Sequence, residues 1–377
     1  MIVEKLSLQD RKNYSLACCA FDADAAPFIW GSFVLDFEED DVALGATCAI
    51  PILRIPERAN YVHTLTISPR SLSLCISDDR GLSALKEAFA LLRNVRDLRL
   101  FFRESWKHII PKDLTAIPLV TQLADWMKTV VLVSFTCDGL PPSEVLCLLR
   151  TSPFLSSVTV NDSRRRIKIP SSLDATATFS QAPLPQLSML NTHINWVPIL
   201  ARGRDLDTLF LSPGRFPYNR DAFIDALRDV RTIHTLHLAE MPVEGLVSIL
   251  GLISDATCPA TTLVCATDVF HDKESSPGAT VMCIFGLVNS WIGKVRTLVL
   301  RSTSGSPEYS PESWVRSSFI RSLQVFSMGS FNGSVDLFVV QFPVMKKDAA
   351  VFQELRTATF KRQEDGTWAA SLSYVTI

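Results

Sequence analysis

One short phrase recurs along this chain and decides what it can fold into. Asp229-Val230-Arg231-Thr232-Ile233-His234-Thr235-Leu236-His237-Leu238 ends in an apolar-x-apolar alternation. In a strand, residues two apart share a face, so Leu236 and Leu238 point the same way. The phrase returns as Asn94-Val95-Arg96-Asp97-Leu98-Arg99-Leu100 and as Lys294-Val295-Arg296-Thr297-Leu298-Val299-Leu300. Tyr61-Val62-His63-Thr64-Leu65-Thr66-Ile67 and Leu206-Asp207-Thr208-Leu209-Phe210-Leu211 are looser copies.

The pattern predicts strand cores at Leu65-x-Ile67, Leu98-x-Leu100, Val131-x-Val133, Val158-x-Val160, Leu187-x-x-Leu190, Leu209-x-Leu211, Leu236-x-Leu238, Leu263-x-Cys265, Leu298-x-Leu300 and Leu323-x-Val325. Their spacing of roughly 20 to 35 residues is that of solenoid repeats. Amphipathic helices fall between them. Leu82, Leu85, Phe89 and Leu92 make one apolar stripe. Ser143 is a candidate cap for Glu144 to Arg150, Asp221 for Ala222 to Arg228, and Pro311 can open Glu312 to Ile320. One strand-plus-helix unit cannot bury its apolar face alone, so neighbours must stack. A curved α/β solenoid is expected. A doubly wound nucleotide fold is the other α/β possibility, but it wants a glycine-rich turn after its first strand. Neither G-x-G-x-x-G nor G-x-x-x-x-G-K-(S/T) occurs.

The ends differ from the middle. Ser7 can cap a first helix running through Tyr14, Leu16 and Cys19, and Pro27 suits the first turn of a second. Ser32 to Phe37 reads as a strand, and Glu38 to Asp41 as a solvated acidic loop. At the other end, Leu337 to Pro343 reads as a further apolar strand. Leu355 to Gln363 and Thr367 to Val375 flank Glu364-Asp365-Gly366, a hairpin with Asp-Gly at its turn. A solenoid needs a terminal cap, and this hairpin is the candidate.

Ile2 to Arg11, then Ser15-Leu16-Ala17-Cys18-Cys19-Ala20-Phe21, then Pro27-Phe28-Ile29-Trp30, resembles the later two-thirds of an F-box. That motif runs as a Leu-Ser-Leu-x-Asp turn, a Leu-(Ala/Val)-Cys helix and a Leu-(Trp/Tyr) pair entering the first strand. The family's opening Leu-Pro-x-Glu helix would lie before Met1, so the motif is incomplete here. The middle of the chain resembles the irregular leucine-rich repeats of fungal F-box proteins. It lacks the Asn or Cys that regular repeats place after each strand to bond successive turns. The resemblance implies a leucine-rich-repeat-like horseshoe over 38–354, behind a partial F-box-like segment over 1–37 and before a hairpin cap over 355–377. It implies a substrate-recognition subunit of an SCF-type ubiquitin ligase, with Leu6, Leu8, Leu16, Cys19 and Phe21 docking the Skp adaptor. The alternative is a free-standing repeat scaffold or inhibitor without a ligase link.

The rest of the sequence argues against other classes. Of its 377 residues, 47% are hydrophobic and 20% charged, which suits a folded chain. A formal charge of −2 gives no electrostatic reason to expect nucleic acid or an anionic membrane. The N-terminus has no basic region followed by an apolar core, so no signal peptide is read and a cytosolic or nuclear place is expected. The nine cysteines are scattered without a Cys-x-x-Cys pair and read as small buried hydrophobes. His234 and His237 have opposite parity, which argues against a shared metal. Neither H-E-x-x-H nor G-x-S-x-G is present. Carboxylates such as Asp78 and Asp79 fall in loops with no fixed facing partner, and Arg164-Arg165-Arg166-Ile167-Lys168 is a short basic loop without interleaved aromatics. The expectation is a non-enzyme with no cofactor and no metal.

Strand parity then names a surface. If the recurring leucines point inward, Thr64, Thr66, Asp97, Arg99, Thr208, Phe210, Thr235, His237, Thr297 and Val299 point outward. In a horseshoe these line the concave face, where such arrays bind partners. The set is mixed and nearly neutral, which suits a protein or peptide.

Overall fold

Each recurrence of the phrase builds one strand. The computed structural model describes residues 7, 10–12, 19–37, 55–69, 86–101, 119–140, 142–161, 184–212, 220–267, 277–291, 294–303, 320–321, 335–345 and 352–376. They form a mixed α/β structure whose strands are mostly parallel, and the chain divides into two compact units. Met1–Leu173 with Gln181–Leu187 is the first, and Asp174–Ser180 with Ser188–Ile377 the second.

In the first unit, β1 (Ser32–Phe37), β2 (Thr64–Pro69), β3 (Asp97–Phe101), β4 (Ser134–Asp138) and β5 (Ser157–Asn161) pair in chain order, all parallel. Helices α1 (Cys19–Trp30), α2 (Leu119–Met127) and α3 (Pro142–Arg150) lie between or before them. In the second unit, β6 (Met189–His193), β7 (Asp205–Ser212), β8 (Thr232–Leu238), β9 (Ala260–Thr267), β10 (Thr297–Ser302) and β11 (Leu337–Met345) are parallel neighbours. Between them run α4 (Val197–Leu200), α5 (Arg220–Asp229), α6 (Val243–Asp255) and α7 (Pro277–Trp291). The direction then reverses. β12 (Phe352–Arg362) pairs antiparallel with β11, and β13 (Trp368–Thr376) antiparallel with β12. Pro343 is tolerated in β11 because it lies past Gln341, the last residue that β11 pairs with β10.

Several strands share a repeated bond pattern at or near their entry. His63 and Thr64 N–H both donate to Gly31 O, at 2.9 and 3.0 Å. Arg96 and Asp97 N–H share His63 O, and Val133 and Ser134 N–H share Arg96 O. In the second unit Asp207 and Thr208 N–H share Ser188 O, and Asp336 and Leu337 N–H share Arg296 O. Two donors on one acceptor insert an extra residue, as in a bulge, and break the period of two. The apolar residue three before the first strand leucine is thereby turned inward. Val62, Leu65 and Ile67 are fully buried, as are Val95, Leu98 and Leu100, and Leu155, Val158 and Val160. The second unit repeats this with Leu206, Leu209 and Leu211, with Ile233, Leu236 and Leu238, and with Val295, Leu298 and Leu300. Burying each such side chain contributes roughly 1.5–3 kcal/mol.

Several expectations shift. The strand placed at Val131-x-Val133 begins later, as β4 at Ser134, and Val131 is 58% exposed. Leu132 before it and Phe135 and Cys137 within it are buried, the same three-then-two spacing. Ser143 and Asp221 sit inside the first turns of α3 and α5, so neither is a cap. Pro27 lies within α1 and opens no second helix; α1 stops at Gly31, where a Cβ would come 2.7 Å from Pro27 O. Of the stripe Leu82, Leu85, Phe89 and Leu92, the last two are buried on and just after a helix over 86–91. Leu82, Leu85, Leu323, Val325 and 311–319 lie outside the described residues. The hairpin stands as expected: Gly366 has φ of 81°, and Asp365 Oδ1 accepts from Thr367 N and Oγ1 at 2.9 and 2.6 Å.

Candidate functional site

Fully buried leucines on one side of the second unit's strands leave the alternate residues on the other. The register aligns those alternates into rows about 4.8 Å apart from strand to strand. Thr208, Thr235, Thr262, Thr297 and Leu337 form one row across β7 to β11. Asn191, Phe210, His237, Val264, Val299 and Val339 form the next. Arg301 and Gln341 follow in a third, where Arg301 Nε donates to Gln341 Oε1 at 3.0 Å.

The centre of the second row is its most structured part. The rings of Phe210 and His237 stack with centroids 3.9 Å apart and planes 11° from parallel. Desolvation, and then the nearby positive charge of Arg301, hold the His237 imidazole below its usual pKa of 6.5. The neutral ring is therefore favoured. Val264, next in the row, is buried although its parity turns it away from the helices. Phe210, His237 and Val299 are half-buried. The result is a strip that is apolar at its centre and flanked by threonine hydroxyls on one side and Arg301 on the other.

The first unit has its own rows. Thr64, Asp97, Ser134 and Ser157 share one, and Thr66, Arg99, Thr136 and Thr159 the next. Arg99 folds back on its own strand, with Nε and one terminal nitrogen 2.8 and 2.7 Å from Asp97 Oδ2. An exposed pair of this kind is worth about 0–1 kcal/mol. This surface is mostly polar, with exposed Val34 beside Thr66 at one end and Phe101 two residues beyond Arg99. The ten expected outward residues are thus all unburied, with Thr64, Thr66, Asp97 and Arg99 in the first unit and the other six in the second. Thr262, Val264, Asn191 and Arg301 were not anticipated, although the same parity around Leu263-x-Cys265 would have reached Thr262 and Val264.

Near the N-terminus, Ser7 Oγ accepts from Asp10 N at 3.2 Å, and Arg11 N donates to Ser7 O at 2.9 Å, the expected helix cap. Arg11 then reaches α1, donating to Phe28 O at 3.3 Å with its guanidinium 5.6 Å from the Phe28 ring centre. Cys19 and Phe21 belong to α1, while Leu6, Leu8 and Leu16 lie outside the described residues. So do 38–41, Asp78, Asp79 and the basic run 164–168.

Strict parity misplaces one histidine. Ile233 and Leu236, three apart, are both buried, so His234 and His237 are not sent to opposite faces; neither is buried. They still meet different partners, since His234 Nε2 lies 3.9 Å from Asp207 Oδ1. Among the described residues no group of three His, Cys, Asp or Glu gathers to hold a metal. Cys137, Cys258 and Cys265 are buried, and burial raises their thiol pKa, that of Cys258 to about 11. Such thiols are poor nucleophiles. Cys147 and Cys283 are exposed. Among the described residues no helix is long and apolar enough to cross a membrane. No family model matches the chain, and no curated protein matches it.

Proposed function

We propose that this chain is a non-enzymatic protein-interaction module, a leucine-rich-repeat-like solenoid that serves as the substrate-recognition subunit of an SCF-type ubiquitin ligase. One observation carries the interaction reading: the same buried triplet recurs from strand to strand, so the outward side chains fall into register as continuous rows. A continuous strip of Phe210, His237, Val264 and Val299 with hydroxyls beside it suits an extended peptide or a protein surface. The chain lacks the Asn or Cys that regular repeats place after the strand, but Thr267 takes that task at one turn, donating from Oγ1 to Met241 O at 2.7 Å inside the core. The ligase assignment rests on the F-box-like segment, where the Ser7 cap and the Arg11 contact to α1 give the turn-then-helix order of that motif. In this reading Leu6, Leu8, Leu16, Cys19 and Phe21 dock the Skp adaptor, and the protein works in the cytoplasm or nucleus.

A pull-down of purified Skp adaptor by the full chain tests it. Retention is expected, and weakened retention for Leu16→Asp. A folded chain that retains no adaptor removes the ligase assignment and leaves the free-standing scaffold, which uses the same sheet face.

A further inference from the structure

The last strand leaves a line of main chain open. Gln363 N–H donates to Thr367 O at 2.7 Å across the hairpin, while Arg362 N–H donates to Asp336 O at 2.8 Å, away from β13. Antiparallel rungs alternate between bonded and non-bonded pairs. Counting from Gln363 and Thr367 along the register, Ala369, Ser371 and Ser373 bond inward to Lys361, Thr359 and Thr357. Ala370 and Leu372 therefore turn their N–H and C=O groups to the outer edge. β13 ends the order of strands, and among the described residues no backbone bond reaches those groups.

Folded proteins guard such edges with a charge, a proline or a bulge. β13 has none of these: Trp-Ala-Ala-Ser-Leu-Ser-Tyr-Val-Thr carries no charge, and its register with β12 is unbroken. We propose that a second copy of this chain covers the edge, two β13 strands pairing antiparallel about a two-fold axis at Ser371. In that register Ala370 faces Leu372 of the partner subunit and exchanges both backbone bonds with it, and the symmetry repeats the pair. Ser371 opposes its own copy, Ala369 opposes a serine, and Trp368 opposes a tyrosine. No like charges meet. A foreign peptide is the weaker fit, because added strands are selected by pockets for alternate side chains. Ala369, Ser371 and Ser373 offer no such pocket.

The register makes the test sharp. Ser371 would face itself in a non-bonded pair with Cα atoms about 4.5 Å apart, inside the disulfide range of about 4.4–6.8 Å. The full-length Ser371→Cys variant, oxidised with glutathione disulfide, is expected to give several-fold more cross-linked dimer on a non-reducing gel than wild type or Ser373→Cys. Wild type sets the background from exposed Cys147 and Cys283. Sedimentation of wild type at about 100 μM should show dimer, and Ser371→Lys, with an unchanged melting temperature, should weaken it at least about tenfold. A wild-type chain that stays monomeric, or equal cross-linking at positions 371 and 373, overturns the proposal.

Discussion

Phe210 and His237 stack ring on ring, one repeat apart, because β7 and β8 pair in a register that places them side by side. Their contact gives the sheet face a titratable centre. His237 has a pKa below the usual 6.5, so the folded state binds fewer protons than the unfolded chain beneath that pH. Its contribution to stability is full above 6.5 and is lost as the pH falls through the depressed value. Melting temperature should therefore drop on acidification below 6.5, and His237→Phe should flatten that slope while keeping an aromatic stack. Identical slopes for the two chains would show that His237 is not the group responsible.

Leu236 and Thr235 are adjacent residues with opposite tasks. Leu236 is fully buried, so Leu236→Ala should cost about 2–5 kcal/mol in urea unfolding. Thr235→Ala, on the half-buried outer row, should stay within about 0.5 kcal/mol. Comparable losses would mean that the inward and outward assignment is wrong.

Thr267 ties one repeat to the turn of its neighbour. Thr267→Val keeps the shape but strips the donor from Met241 O in a buried place. About 1–3 kcal/mol of stability should be lost. A neutral substitution would mean that the bond adds nothing beyond packing.

Gly366 holds the hairpin turn at φ of 81°, and nothing lies within 4 Å of the position a Cβ would take. The penalty for Gly366→Ala is therefore conformational, roughly 1–2 kcal/mol. Gly366→Asn should cost less, since Asn tolerates the left-handed region. Equal melting temperatures for the two variants would point to a steric or unrelated cause.

Much of the fold was legible in the sequence because period-two alternation reports burial wherever polar residues interrupt it. Leu236-x-Leu238 and Leu298-x-Leu300 have such interruptions, and their strands form where expected. Val130-Val131-Leu132-Val133 has none, so alternation could not choose between the odd and even residues there. The break in period at the strand entries hid a second signal, since Ile233 and Leu236 are three apart and yet both are buried. The Asp365-Gly366 turn was readable because only a few residues tolerate positive φ. The stacking of Phe210 on His237 was not readable at all, because it depends on the register between two strands. The two rings were nevertheless both named as outward, which is as far as parity reaches.

Hydrogen–deuterium exchange on the full chain, with and without purified Skp adaptor, separates a ligase subunit from a free-standing scaffold. Adaptor binding is expected to slow exchange over 6–21 and to leave β7 to β10 unchanged. No slowing anywhere, or slowing confined to β7 to β10, would contradict it.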